Sequence, residues 1–78
     1  MNFGDALHIL RNGGKVCRRG WNGKNMFLFL INRWENPYSA ELDLDTLPFI
    51  CMKTADNKLV PWLASQTDIL AMDWEQVR

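Results

Sequence analysis

The sequence predicts an α+β fold: a small, mostly antiparallel sheet with an N-terminal helix and a short C-terminal helix, assembled as a homo-oligomer. Three observations carry this. Phe3, Ala6, Leu7 and Leu10 recur at helical spacing. Met26 to Ile31 is an unbroken apolar run of strand length. Phe49 to Thr54 and Leu59 to Leu63 flank Ala55-Asp56-Asn57-Lys58, whose central Asp-Asn suits the positive φ of a tight hairpin. The full order is α-β-β-loop-β-β-α-β, in one domain spanning residues 1–78.

Each element has its own reason. The first helix covers roughly residues 3–12: Asn2 is placed to cap it, Asp5 sits in the first turn, and Gly13-Gly14 stops it. Lys15 to Arg19 reads as a short strand, interrupted by a turn or bulge at Gly20-Trp21-Asn22-Gly23. Met26 to Ile31 shows no polar alternation, so it is expected to be buried on both faces. One helix covers one face of a small sheet; the other face then needs a second subunit or another layer. Residues 32–48 are the least patterned stretch. Pro61 cannot donate to a ladder, so the second hairpin arm lies at an edge or ends there. Ser65-Gln66-Thr67-Asp68 fits a capping box opening a helix that runs to about Met72, and Trp74 to Val77 forms a last strand. Trp74 is expected in the core.

Composition excludes several classes of function. With 47% hydrophobic and 23% charged residues the chain is globular. At 78 residues it buries a small core, and such domains are reinforced by disulfides, metals or oligomerisation. No secretory leader precedes Cys17 and Cys51, which implies the cytoplasm, reduced thiols and small core residues. One histidine and two isolated cysteines do not make a structural zinc site, and no cofactor motif is present. Oligomerisation is left. The formal net charge is zero, unlike proteins that hold nucleic acid through phosphates. The longest apolar run is too short to span a bilayer.

Candidate binding residues gather in two places. Trp21 lies between two glycines and is suited to stacking on a base; a core tryptophan anchoring a turn explains it about equally well. Arg18, Arg19 and Lys24 are nearby cations for phosphate, or simply solvated charges on an edge strand. Strand alternation sends Arg18 and Arg19 to opposite faces, so only one meets a shared site. The segment Pro61-Trp62-Leu63-Ala64-Ser65-Gln66-Thr67-Asp68 sets a tryptophan just ahead of a polar helix start. An ordinary N-cap accounts for Ser65 and Asp68 equally well. No acid-base pair or nucleophile motif stands out, so the chain reads as a binder and not an enzyme. Three rival readings are a nucleotide hydrolase using Asp68 or Asp73 as base, a protein-interaction module using its aromatics, and a single-strand nucleic-acid binder.

Several stretches together resemble one family. They are Asn2-Phe3-Gly4 with Ala6-Leu7, Arg19-Gly20-Trp21-Asn22-Gly23-Lys24 with Met26-Phe27-Leu28, Ile50 to Asp56, Val60 to Asp68, and Asp73-Trp74. On these the chain resembles the second type of Thoeris anti-defence protein of phages and prophages; residues 32–48 match no part of the pattern. The resemblance implies a homotetrameric sponge, with pockets between protomers, in the host bacterial cytoplasm. It would hold, uncleaved, the glycocyclic ADP-ribose signal of a TIR-domain enzyme, and some members hold cyclic oligonucleotides at a different site. Carried onto matching positions, it implies Trp21 and Trp62 as base-stacking residues. Asn22, Gln66, Thr67 and Asp68 would meet polar edges, and Ser65 with Arg19 the pyrophosphate.

Overall fold

The computed structural model describes residues 1–21, 25–33 and 44–78. Their elements are α1 (Phe3–Arg11), β1 (Lys15–Arg18), β2 (Phe27–Ile31), β3 (Phe49–Lys53), β4 (Leu59–Pro61), α2 (Gln66–Leu70) and β5 (Trp74–Val77). The predicted α+β order is present. Asn22 and part of the 32–48 stretch lie outside the described residues.

Side-chain chemistry starts and stops α1. Asn2 is extended, and its Oδ1 accepts the Asp5 N–H at 2.8 Å, satisfying a donor the first turn leaves open. Gly13 then takes φ +86°, the left-handed region that ends many helices. Gly14 brings the chain back under the helix: its N–H donates to the Ile9 carbonyl at 2.9 Å. A Cβ there would lie 2.5 Å from Ile9 Cγ2 and 3.2 Å from the Ile9 carbonyl oxygen.

The strands form one antiparallel sheet in the order β4-β3-β2-β1-β5. Sequence pattern did not reveal that β5 returns to pair with β1 and lies at the edge. Register settles which side chains share a face. Val16 lies opposite Leu28, and Arg18 opposite Trp74. On this face α1 lays Ala6 and Leu10 against Val16, Leu28 and Trp74, which form the buried core. The hairpin tip is as expected: Asn57 has φ 64°, and the Thr54 hydroxyl accepts the Lys58 N–H at 2.9 Å. β4 stops at Pro61 and is an edge strand, which suits a residue with no N–H to give.

The far face has no helix against it among the described residues. Alternation places Cys17, Phe27, Phe29, Ile31, Phe49 and Cys51 there. β2 was expected to be buried on both faces; Leu28 is, but Phe27, Phe29 and Ile31 are half-buried. Cys51 is fully buried as expected, opposite Phe29 and Pro61. Cys17 departs from the expectation of a core residue and is half-buried, on a face with no helix against it among the described residues. Burial and the nearby Glu75 and Asp73 carboxylates push its thiol pKa up, so it stays protonated.

Candidate functional site

Trp74 opens β5 and is 1% exposed. Its indole N–H donates to the Asp68 carbonyl at 2.9 Å, meeting the one polar need of a buried tryptophan. Three aromatic rings surround it. Phe3 of α1 lies 5.4 Å away, centroid to centroid, at 53°. Trp21 stands edge-on at 5.6 Å and 78°, and Trp62 does the same at 6.0 Å and 87°. Trp21 and Trp62 are half-buried, so each is anchored against Trp74 while keeping part of its surface in solvent.

Backbone bonds place the two outer tryptophans. The Trp21 N–H donates to the Arg18 carbonyl at 3.1 Å, closing the turn after β1. The Trp62 N–H donates to the Ile50 carbonyl at 2.9 Å, carrying the β3–β4 ladder one residue past Pro61. The Gly20 N–H donates to Asp73 Oδ2 at 2.9 Å, and a Cβ on Gly20 would sit 3.0 Å from that oxygen.

Beside the rings lies an ion network. Arg18 donates from Nε to Asp73 Oδ1 at 2.8 Å and from Nη1 to Asp68 Oδ1 at 2.9 Å. Its side chain is 19% exposed and that of Asp68 16%, so the network is shielded more than a surface pair. Asp68 completes the capping box at the start of α2. Its Oδ2 accepts from the Ser65 hydroxyl at 2.9 Å and the Ser65 N–H at 3.3 Å, while Ser65 Oγ accepts the Asp68 N–H at 3.1 Å. Partial burial opposes the Asp68 charge, but the bonds from Arg18 and Ser65 outweigh it and hold the carboxyl below its ordinary range. Asp73 is lowered chiefly by its bond from Arg18, then by the Gly20 N–H. Arg18 is raised by Asp73 first and Asp68 second. Carboxylates held so firmly in the charged form are weak proton acceptors at neutral pH.

The sequence-predicted residues are partly brought together. Trp21 and Trp62 share one anchor. Ser65 and Asp68 form the box, and Gln66 and Thr67 lie exposed in its first turn. Arg19 is apart: its Nε donates to Glu75 at 3.0 Å and its side chain is 72% exposed. The arginine facing Asp68 is Arg18. Sequence reasoning missed Arg18 and Asp73 as a pair. The signal was the alternation of Arg18 and Arg19, which needed the β1–β5 pairing to say which faced inward. Among the described residues no group of three or more His, Cys, Asp or Glu is placed to hold a metal. No helix among them is long and apolar enough to cross a membrane.

These features define a small single-sheet α+β domain that presents two half-exposed tryptophans on a buried third, next to an ion network. A family model described as the Thoeris anti-defense 2-like domain matches residues 1–77. The chain is 46% identical to the protein named Thoeris anti-defense 2 of Bacillus phage SP01, over 99% of this chain and 94% of that protein. The chain therefore belongs to the Thoeris anti-defense 2-like family.

Proposed function

We propose that this chain counters Thoeris defence in the bacterial cytoplasm by binding a cyclic nucleotide immune signal and holding it uncleaved. The signal in this reading is glycocyclic ADP-ribose, with cyclic oligonucleotides as a second class. The observation that carries the reading is the pair Trp21 and Trp62, both half-exposed and both standing on the buried Trp74. Rings fixed before the ligand arrives lose little conformational freedom on binding it. Stacking on an aromatic side chain contributes about 1–3 kcal/mol per base. Nanomolar affinity needs about −12 kcal/mol, so hydrogen bonds and charge must add to the stacking. Asn22, Gln66 and Thr67 take the polar edges in this assignment and Ser65 the pyrophosphate; Arg19, paired with Glu75 apart from Ser65, is not carried into it. Asp68, with both oxygens already bonded, serves through Ser65. The lowered pKa values of Asp68 and Asp73 favour retention of the ligand over hydrolysis.

The same reading includes self-association as a homotetramer. Phe27, Phe29, Ile31 and Phe49 are half-buried on the face that carries no helix among the described residues. Phe49, Cys51, Leu59, Val60 and Pro61 line an apolar groove of about 240 Å³ beside it. In this reading a second copy packs on that apolar surface.

Calorimetry against glycocyclic ADP-ribose, other cyclic ADP-ribose isomers and cyclic dinucleotides tests the proposal. At a ligand concentration of 100 Kd the apparent stability should rise by about 2.7 kcal/mol. Ligand released by denaturation should be chemically intact. No binding across the panel overturns the reading; recovery of a cleaved product converts it to the hydrolase.

A further inference from the structure

Trp21 and Trp62 reach Trp74 from different parts of the chain. Their described backbone bonds tie Trp21 to the end of β1 and Trp62 to β3, two strands that both pair with β2; the sheet spaces those strands but does not hold the turn after β1 against the segment after β4. A side-chain link joins these two segments directly. Arg18 Nε holds Asp73, whose other oxygen takes the Gly20 N–H, one residue before Trp21. Arg18 Nη1 holds Asp68, whose other oxygen fixes Ser65, three residues after Trp62, and whose carbonyl takes the Trp74 indole N–H.

We propose that Arg18 is a positioning residue for the ligand site: it joins the Trp21 turn to the Trp62–α2 segment and does not itself bind ligand phosphate. The proposal rests on the sequestration reading of this site. Two arguments separate Arg18 from a phosphate ligand. One guanidinium stands between two carboxylates, so the cluster carries a net charge of −1 and an entering phosphate would meet Asp68 and Asp73 as well as the arginine. The linkage also uses two different nitrogens of one planar fork. A lysine ammonium keeps the charge but presents no such fork, so it does not reproduce the geometry.

The test uses full-length protein labelled with 5-fluorotryptophan. Its four tryptophans give four fluorine resonances, assigned by single Trp→Phe changes. Arg18→Lys, Arg18→Met and Arg18→Met/Asp73→Asn are compared, with glycocyclic ADP-ribose as the calorimetric probe. In free Arg18→Lys the Trp21, Trp62 and Trp74 lines should move, and the affinity should fall about 10-fold or more, a loss typical of coupled networks. The double variant should recover part of the affinity that Arg18→Met loses. Asp73→Asn removes the exposed repulsion with Asp68, and its side-chain oxygen still accepts from Gly20. Arg18→Lys keeps the positive charge and serves as the folded comparison if Arg18→Met does not fold. Unmoved lines with lost affinity would make Arg18 a direct ligand contact and overturn the proposal, as would wild-type affinity in Arg18→Lys. If the wild-type chain ignores the probe, the sequestration reading falls. The fluorine lines then still decide whether Arg18 sets the tryptophan spacing.

Discussion

At the scale of single residues, Trp21 and Trp74 make a contrasted pair. They touch each other, yet one is half-exposed and the other is 1% exposed. Trp21→Ala should weaken ligand binding by about 1–3 kcal/mol, roughly 5- to 150-fold in Kd. It also removes an edge-to-face pair, so melting should register a loss of about 0.5–1.5 kcal/mol beyond the buried area given up. Trp74→Ala should cost about 3–5 kcal/mol of folding stability, enough to unfold much of a domain this small. Titration calorimetry and thermal melts on both variants check the contrast. A Trp21→Ala protein that binds like wild type and melts far lower would make Trp21 a turn anchor only. Gly14 supplies a further residue-scale prediction. Its added Cβ meets Ile9 at 2.5 Å, so Gly14→Ala should lower stability by about 1–3 kcal/mol through overpacking, visible as a shifted urea midpoint.

Among the elements, α2 has five residues and no buried side chain, so its place in the fold depends on its start. Ser65→Ala removes the hydroxyl from the capping box and should cost about 0.5–2 kcal/mol in a denaturation midpoint. The acids behind that box set an acid limit. Asp68 and Asp73 both have folded pKa values lowered from 3.8. Each therefore binds fewer protons folded than unfolded near that pH. Their contribution is fully present above the unfolded pKa, near 4, and is lost as pH falls through the depressed folded values. Melting temperature followed downward from pH 7 should show no loss from these groups until about pH 4, then a decline. Asp73→Asn should shallow that decline. An unchanged acid limb would show that Asp73 gains little from Arg18. Most of the element plan was legible, because caps and alternation act within a few residues: Asn2, Gly13, Asn57 and Ser65 all act over such distances. The ion network was not. Arg18 stands 55 positions from Asp73 and 50 from Asp68, and only the β5–β1 pairing makes them neighbours. Arg19 drew attention through its place in a family stretch, whereas the β1 register turns Arg18 toward Trp74.

For the molecule as a whole, the proposed self-association uses the face that carries no helix among the described residues. Lys15 and Lys53 stand 4.9 and 5.8 Å from the Phe27 centroid, so cations border this apolar surface. Native mass spectrometry should show an even-numbered homo-oligomer, with the tetramer favoured. Phe29→Glu places a charge opposite Cys51 on that face, and should shift the population toward monomer. Retention of a tetramer by this variant would move the interface elsewhere; a monomeric wild type at micromolar concentration would remove it altogether.

The return of β5 to the side of β1 also orders events in time. A growing polypeptide leaves the ribosome with its earlier residues first. Phe3, Trp21 and Trp62 are all synthesised before Trp74, the ring against which each of them packs. The salt-bridge partner Asp73 arrives only one residue before that ring. A nascent chain that has made α1 through β4 thus carries three aromatic side chains with their common partner missing. In refolding, where the whole chain is present, loop length gives the same order: pulse-labelled hydrogen exchange should find β1 amides facing β5 protected together with those of β5, after the short-range β3–β4 hairpin. The aromatic cluster and the ion network beside it are therefore complete only once β5 is in place.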